Sequence, residues 1–185
     1  MALGRLFRKD ALAAPAAQLY RRIVEQARRP AFYLEGGVPD TLDGRFELIV
    51  LHAILVVHRL KAEGEGGAAL AQRVFDTMFD DMDASLRELG AGDLGVPHRV
   101  RRMVSGFYGR AAAYEAGLKG ADEVLMAALR RNLYGTVPAD PPALSEMTAY
   151  LRAAAAELAV QPGTALLAGE VAFPADPWEK TSYHQ

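Results

Sequence analysis

Hydrophobic and polar positions follow the period of amphipathic α-helices along most of the chain. In residues 15–28, for example, apolar side chains recur at intervals of three and four, which places them on one face of a helix. The same pattern predicts helices over about residues 15–28, 41–63, 68–89, 121–133 and 141–160, and a further helix that begins at Pro97.

Proline, aspartate and glycine residues mark the breaks between these helices. Pro30 ends the first predicted helix, because a proline disfavours helical geometry in the residue before it. Asp40 is expected to cap the N-terminus of the second helix. The glycines at positions 64, 66 and 67 predict a break before the third helix.

The second predicted helix is apolar on nearly all sides over residues 48–57. Such a helix is typical of a position surrounded by other helices. A run of ten residues, interrupted by His52, is too short to span a bilayer, which takes about 20. We therefore expect an all-α, single-domain bundle of about six helices around this central apolar helix. Residues 1–160 would form the helical domain, and residues 161–185, which lack periodicity, an irregular C-terminal tail.

Composition supports the helical prediction and limits the chemistry. The 185 residues include 34 Ala and 23 Leu but only 22 Val, Ile and Thr together, a ratio that favours helices over sheets. The absence of cysteine excludes disulfides, thiolate metal sites and cysteine nucleophiles.

The net charge of −2 predicts no general affinity for nucleic acid, but it hides strong segregation. Residues 1–34 carry a charge of +5, residues 76–93 a charge of −5, and residues 98–113 a charge of +4. Arg99, Arg102 and Arg110 fall within about 60° of one another on a helix. This basic stripe is either a solvated face or a surface for a partner or a membrane.

The acidic residues on the third helix are the most enzyme-like feature. Asp76, Asp80 and Asp83 share one helical face, and such carboxylates can hold Mg²⁺ for a diphosphate substrate. The DDxxD pattern of all-α isoprenoid synthases fails here, because Ala84 follows where its last aspartate belongs. The alternatives are thus a solvated acidic face and a Mg²⁺-dependent enzyme that processes isoprenoid diphosphates.

Other patterns point away from catalysis. His52 and His58 lie about 120° apart around one helix, unlike zinc-binding pairs, which are three or four residues apart. His52 is therefore expected to be a hydrogen-bonded core residue. No nucleophile motif and no phosphate-binding glycine loop occurs in the sequence. We expect a binding protein that has no catalytic residues and needs no metal or cofactor.

Three segments appear in a characteristic order: AFYLEGGVPDTLDGRFELIVLH from position 31, FDTMFDDMDASLRELGAGDLGVPHRVRRMVSGFYGRAAAY from position 75, and LRRNLYG from position 129. Together they resemble the ubiquinol–cytochrome c chaperone family of α-proteobacteria and mitochondria. The likeness covers roughly residues 19–158.

This resemblance implies a non-catalytic assembly factor for ubiquinol–cytochrome c reductase. The expected partners are newly made cytochrome b or its assembly intermediate, the surface of the inner membrane, and a small helical partner protein, with no nucleic acid. The expected location is cytoplasmic and peripheral to the inner membrane of a bacterium. A general helical scaffold for an unrelated partner is a further hypothesis.

The resemblance and the charge pattern meet at two predicted partner-binding regions. Exposed aromatic side chains beside basic ones are plausible contacts for the apolar segments of a membrane protein. For each aromatic residue, the alternative is a position in the helical core. The predicted residues are Phe32, Tyr33 and Arg45 in the first region and Arg99, Arg101, Arg102, Phe107, Tyr108 and Arg110 in the second.

Overall fold

The computed structural model describes residues 11–88, 96–175 and 177–178, and for residues 96–102 it describes the backbone alone. Within these ranges the chain is all-α, as predicted, with eight helices and no strand. The helices are α1 (Ala13–Ala27), α2 (Ala31–Leu34), α3 (Leu42–Lys61), α4 (Gly64–Glu88), α5 (Val96–Lys119), α6 (Asp122–Asn132), α7 (Pro141–Val160) and α8 (Gly163–Leu167).

Helix α3 is the centre of the bundle. It contacts α1, α4, α5, α7 and α8, and its residues from Leu48 to Val57 are all buried. The prediction of a central apolar helix inside a single-domain bundle is therefore confirmed. An all-round apolar surface requires neighbours on every side, since exposed apolar area costs about 25 cal/mol per Å².

The six predicted helices are all present, and two short helices were not predicted. Helix α2 lies in the expected connector and α8 in the expected tail. Both are too short to show helical periodicity, because one turn holds only 3.6 residues. Phe32 fixes α2 to the bundle, since its side chain is completely buried.

Two predicted helix boundaries were wrong for local reasons. Thr41 caps α3 instead of Asp40, because its hydroxyl accepts a 3.1 Å hydrogen bond from the Gly44 amide, whereas Asp40 pairs with Arg45 at 2.6 Å. Helix α4 begins at Gly64, with φ of +72°, and includes the glycines that were expected to break the chain. One of them, Gly67, lies against the Leu60 carbonyl too closely for a side chain.

The segment after α8 has no regular structure, as predicted, but it packs against the core. Val171 and Trp178 are buried, and the Phe173 ring meets the His52 ring edge to face at 5.3 Å. The Gln161 side chain holds the Ala172 backbone with two hydrogen bonds of 2.9 Å. Contacts therefore cross the predicted boundary between residues 160 and 161.

A buried hydrogen-bond chain links α1, α3 and α7. The His52 Nδ1 atom donates to the Leu48 carbonyl at 2.7 Å, because a carbonyl can only accept. The Nε2 atom of the neutral ring then accepts from the Tyr150 hydroxyl at 2.7 Å, and that hydroxyl accepts from the Gln26 amide at 2.9 Å. His52 is thus a core residue with both ring nitrogens satisfied, as expected.

Burial lowers the pKa of His52 from 6.5 to about 4, which makes the stability of the fold depend on pH. The unfolded chain takes up a proton near pH 6.5, whereas the folded chain does so only near pH 4. The free energy of unfolding should therefore fall by about 3 kcal/mol from this group as the pH drops from 7 to 4.

Denaturant unfolding of the wild type and of His52→Gln across this pH range measures the effect. Between pH 7 and pH 4, the free energy of unfolding of the variant should fall by about 3 kcal/mol less than that of the wild type. Equal losses in the two proteins would contradict the assignment of a neutral buried His52.

Candidate functional site

An apolar groove lies between the C-terminal halves of α3, α5 and α7. Its volume is about 890 Å³. The residues on α3 and the turn after it are Ile54, Leu55, Val57, His58, Arg59, Lys61, Ala62 and Glu63; those on α5 are Phe107, Tyr108, Ala111, Glu115, Leu118 and Lys119; those on α7 are Ala155, Leu158 and Ala159.

Helical spacing explains why these residues share the groove. Tyr108, Ala111, Glu115 and Leu118 recur at three- and four-residue intervals and therefore follow one face of α5. The same spacing brings residues 155, 158 and 159 to one face of α7. Alanine on these faces keeps the walls low, so the backbones of α5 and α7 lie close to the groove.

Four charged residues at the rim of the groove form two ion pairs, Arg59 with Glu63 and Lys119 with Glu115. Arg59 bonds the Glu63 carboxylate and also donates to the carbonyls of Leu158 at 2.9 Å and Gln161 at 3.0 Å. These bonds tie the end of α7 to α3. Across the groove, Glu115 accepts from Lys119 at 2.7 Å, and this hydrogen bond lowers the pKa of the Glu115 carboxyl group.

An exposed aromatic side chain, Tyr108, stands at one end of the groove. Its exposed fraction is 59%, whereas that of the neighbouring Phe107 is 3%. The Tyr108 ring centroid lies 5.9 Å from that of Phe75 and 6.0 Å from that of Phe107. Tyr108 is therefore held by other rings while much of its surface is open to a partner.

A second, polar cleft of about 650 Å³ lies at the other end of α3. In this polar cleft Arg110 bonds the Glu47 carboxylate through two nitrogens, the Nε–Oε2 distance being 2.6 Å. Burial raises the pKa of Glu47 although Arg110 opposes the shift. The Tyr20 hydroxyl donates to Asp81 at 2.7 Å, and burial, followed by this bond, raises the pKa of Tyr20.

Comparison with known proteins assigns most of the chain to a known family. The model of the ubiquinol–cytochrome C chaperone family matches residues 34–173, more than half of the chain and all of the apolar groove. The chain belongs to this family. Its members are chaperones rather than enzymes, so the alternative of an isoprenoid diphosphate enzyme is not supported.

Individual relatives agree with the family match. The chain is 29% identical over 159 residues to ubiquinol–cytochrome-c reductase complex assembly factor 1 of Xenopus laevis, with 85% of this chain and 80% of that protein covered. It is 28% identical to the Homo sapiens protein of the same description, again over 85% of this chain. The chain spans only 53% of the human relative's length.

The crystal structure of the Cbp3 homolog from Brucella abortus has the same fold. It superposes with a TM-score of 0.78 and is 41% identical in sequence. The alignment covers 87% of this chain and 89% of that chain. The helical architecture is therefore shared along most of both proteins.

In the first predicted partner-binding region, the structure places the aromatic residues mainly in the core. Phe32 is completely buried and packs edge to face on the Tyr150 ring at 5.1 Å, so it offers no surface to a partner. Tyr33 is half-buried, and its hydroxyl donates to the Ala27 carbonyl at 2.8 Å. Arg45 is exposed and pairs with Asp40.

The residues of the second predicted region lie in different environments. Phe107 belongs to the core, Tyr108 is exposed at the apolar groove, and Arg110 turns into the polar cleft. Phe107 is buried because it packs against Phe75 at 5.0 Å. The side chains of Arg99, Arg101 and Arg102 lie outside the described residues, so the basic stripe stays a prediction.

Two of the three carboxylates on the predicted acidic face, Asp76 and Asp83, have protein partners. Asp76 accepts from Gln72 at 2.8 Å, and Asp83 accepts from Arg87 at 2.6 Å, both one turn away on α4. In the part of the chain that the structure describes, no three potential ligands come together as a metal site. No helix in the same part is long and apolar enough to cross a membrane.

The sequence analysis missed most of the apolar groove. Alanines at 155 and 159 repeat at a helical interval, and this signal was available in the sequence. It could not show which face of α7 is left uncovered, because that depends on the crossing of three helices.

Arg110 and Arg45 should differ in their effect on stability although both were predicted to bind partners. Arg110→Ala should lower the free energy of unfolding by about 2 kcal/mol, because it strands the buried Glu47 carboxylate. Arg45→Ala should have no measurable effect, because its pair with Asp40 is exposed. Urea unfolding at pH 7 measures both. Equal decreases in the free energy of unfolding of the two variants would contradict a structural role for Arg110.

Proposed function

We propose that this chain is a non-catalytic assembly chaperone for ubiquinol–cytochrome c reductase, and that it binds newly made cytochrome b at the membrane surface. The observation that carries the proposal is the family match over residues 34–173, which takes in the helical bundle from the end of α2 onward. Relatives along this stretch are described as assembly factors of the same reductase complex.

Physical chemistry supports this role for a bundle with an open apolar groove. A membrane protein that has not yet been inserted exposes apolar segments, which associate unless another apolar surface covers them. The groove offers such a surface in a chain that needs no catalytic group. We propose a location peripheral to the cytoplasmic face of the inner membrane, where such a client emerges.

The remaining predicted contacts belong to the same proposal. A small helical partner protein and the membrane surface are candidate partners of the working chaperone, and Arg99, Arg101 and Arg102 are candidate contact residues. Tyr108 is the predicted site residue that the structure favours most for a contact, because it is the large aromatic side chain exposed beside the groove.

Deletion of the gene tests the proposal in the organism. Cells without the chaperone should lose assembled ubiquinol–cytochrome c reductase and its cytochrome b at least tenfold, because unprotected cytochrome b is degraded. Difference absorption spectra of membranes and native gels measure both quantities.

Two controls make the result specific. Expression of the chain from a plasmid should restore the reductase, and other respiratory complexes should keep their normal levels. Normal reductase in the deletion strain would overturn the proposed function, and an equal loss of every membrane complex would replace it with a general role.

A further inference from the structure

The apolar groove is one of two places where the cover over the central helix is incomplete. Several apolar residues of α3, such as Leu48 and Val56, have no exposed surface. In the groove, Ile54, Leu55 and Val57 retain exposed fractions of 4% to 9%. Among residues 48–57 of the central helix, these three residues and Ile49 therefore keep the largest exposed fractions.

The charged side chains around the groove do not favour a charged partner. Arg59 is neutralised by Glu63, and Lys119 by Glu115, so the walls already contain their own counter-charges. A charged group brought next to either of these two pairs would lose its hydration and meet no unpaired opposite charge there. Lys61, exposed at the last position of α3, is the rim cation for which the described residues show no ion pair.

The size and walls of the groove fit a short piece of helix. The groove-lining residues 54–61 of α3 and 108–119 of α5 advance by about 11 Å and about 17 Å along their axes, since a helix rises 1.5 Å per residue. Ala111, Ala155 and Ala159 keep the walls low on both sides, as small residues do where helices pack closely in membranes. About ten residues of a second helix match these lengths and make up half of a membrane span.

We propose that the apolar groove binds an uncharged, apolar helical segment of about ten residues from the membrane-spanning part of the client. This inference rests on the proposed function and adds the place of binding and the chemistry of the bound segment. The two ion pairs at the rim favour such a segment over an acidic or a basic amphipathic helix. Tyr108 adds an exposed aromatic ring to the lining of the groove.

Charge substitution at Ala159 tests the proposal, because this residue lines the groove and is exposed in the free chain. Ala159→Glu and Ala159→Lys should each reduce binding at least tenfold, since either charge would be buried against an uncharged segment. Ala156, exposed on the same helix outside the groove, provides matched controls. Ala156→Glu and Ala156→Lys should change binding less than twofold.

The measurement uses the tagged full chain, produced in the deletion strain and purified under mild detergent. Cytochrome b in the eluate is quantified by immunoblot for the wild type and the four variants. Thermal unfolding by circular dichroism must show equal stability for the variants at 159 and at 156. A third substitution, Tyr108→Ala, should reduce binding as well, through loss of apolar contact.

Each of the other possible results contradicts a specific part of the proposal. Stronger binding by Ala159→Lys would mean an acidic partner, and stronger binding by Ala159→Glu a basic one. A dimer of the wild type that Ala159→Glu dissociates would mean a second copy of this chain. Unchanged cytochrome b in all variants would overturn the groove but leave the function standing. Absence of cytochrome b from the wild-type eluate, with normal reductase in the deletion strain, would overturn the proposed function itself.

Discussion

The fold depends on covering one helix that has no polar side. Helix α3 needs apolar neighbours in every direction, and α1, α4, α5, α7 and α8 supply them. Among residues 48–57, the largest exposed fractions belong to Ile49 in the polar cleft and to Ile54, Leu55 and Val57 in the apolar groove. Both candidate sites are therefore places where the packing around α3 leaves space. A chaperone gains a binding surface in this way without exposing a large apolar patch to water.

Charge in this molecule is mostly balanced locally, which shapes what it can bind. Near α3, Arg110 pairs with Glu47, Arg59 with Glu63, and Lys119 with Glu115. Of these pairs, the one between Arg110 and Glu47 joins residues far apart in sequence, and it neutralises an arginine of the basic region 98–113. An apolar client meets walls whose charges are already satisfied, so it loses little by entering the groove.

Sequence patterns predicted the features that depend on residues close to one another in the chain. Periodicity placed the six long helices, and the continuous apolar run identified α3 and the buried role of His52. The same patterns could not show whether Phe32 and Phe107 are buried, because the burial of a helical face depends on which other helix crosses it. The cap at Thr41 instead of Asp40 depends on a competing ion pair between Asp40 and Arg45. The packing of Trp178 depends on contacts with residues distant in sequence. The apolar groove involves three helices and is visible only in three dimensions.

The most direct test of the account is a map of what touches the groove in living cells. A photoreactive phenylalanine derivative at position 159, with position 156 as control, is activated by light while cytochrome b is being made. Mass spectrometry then identifies the crosslinked peptide. The account predicts that position 159 captures a membrane-spanning segment of cytochrome b and that position 156 does not. Capture of a polar loop from position 159, or of cytochrome b from position 156 alone, would contradict it.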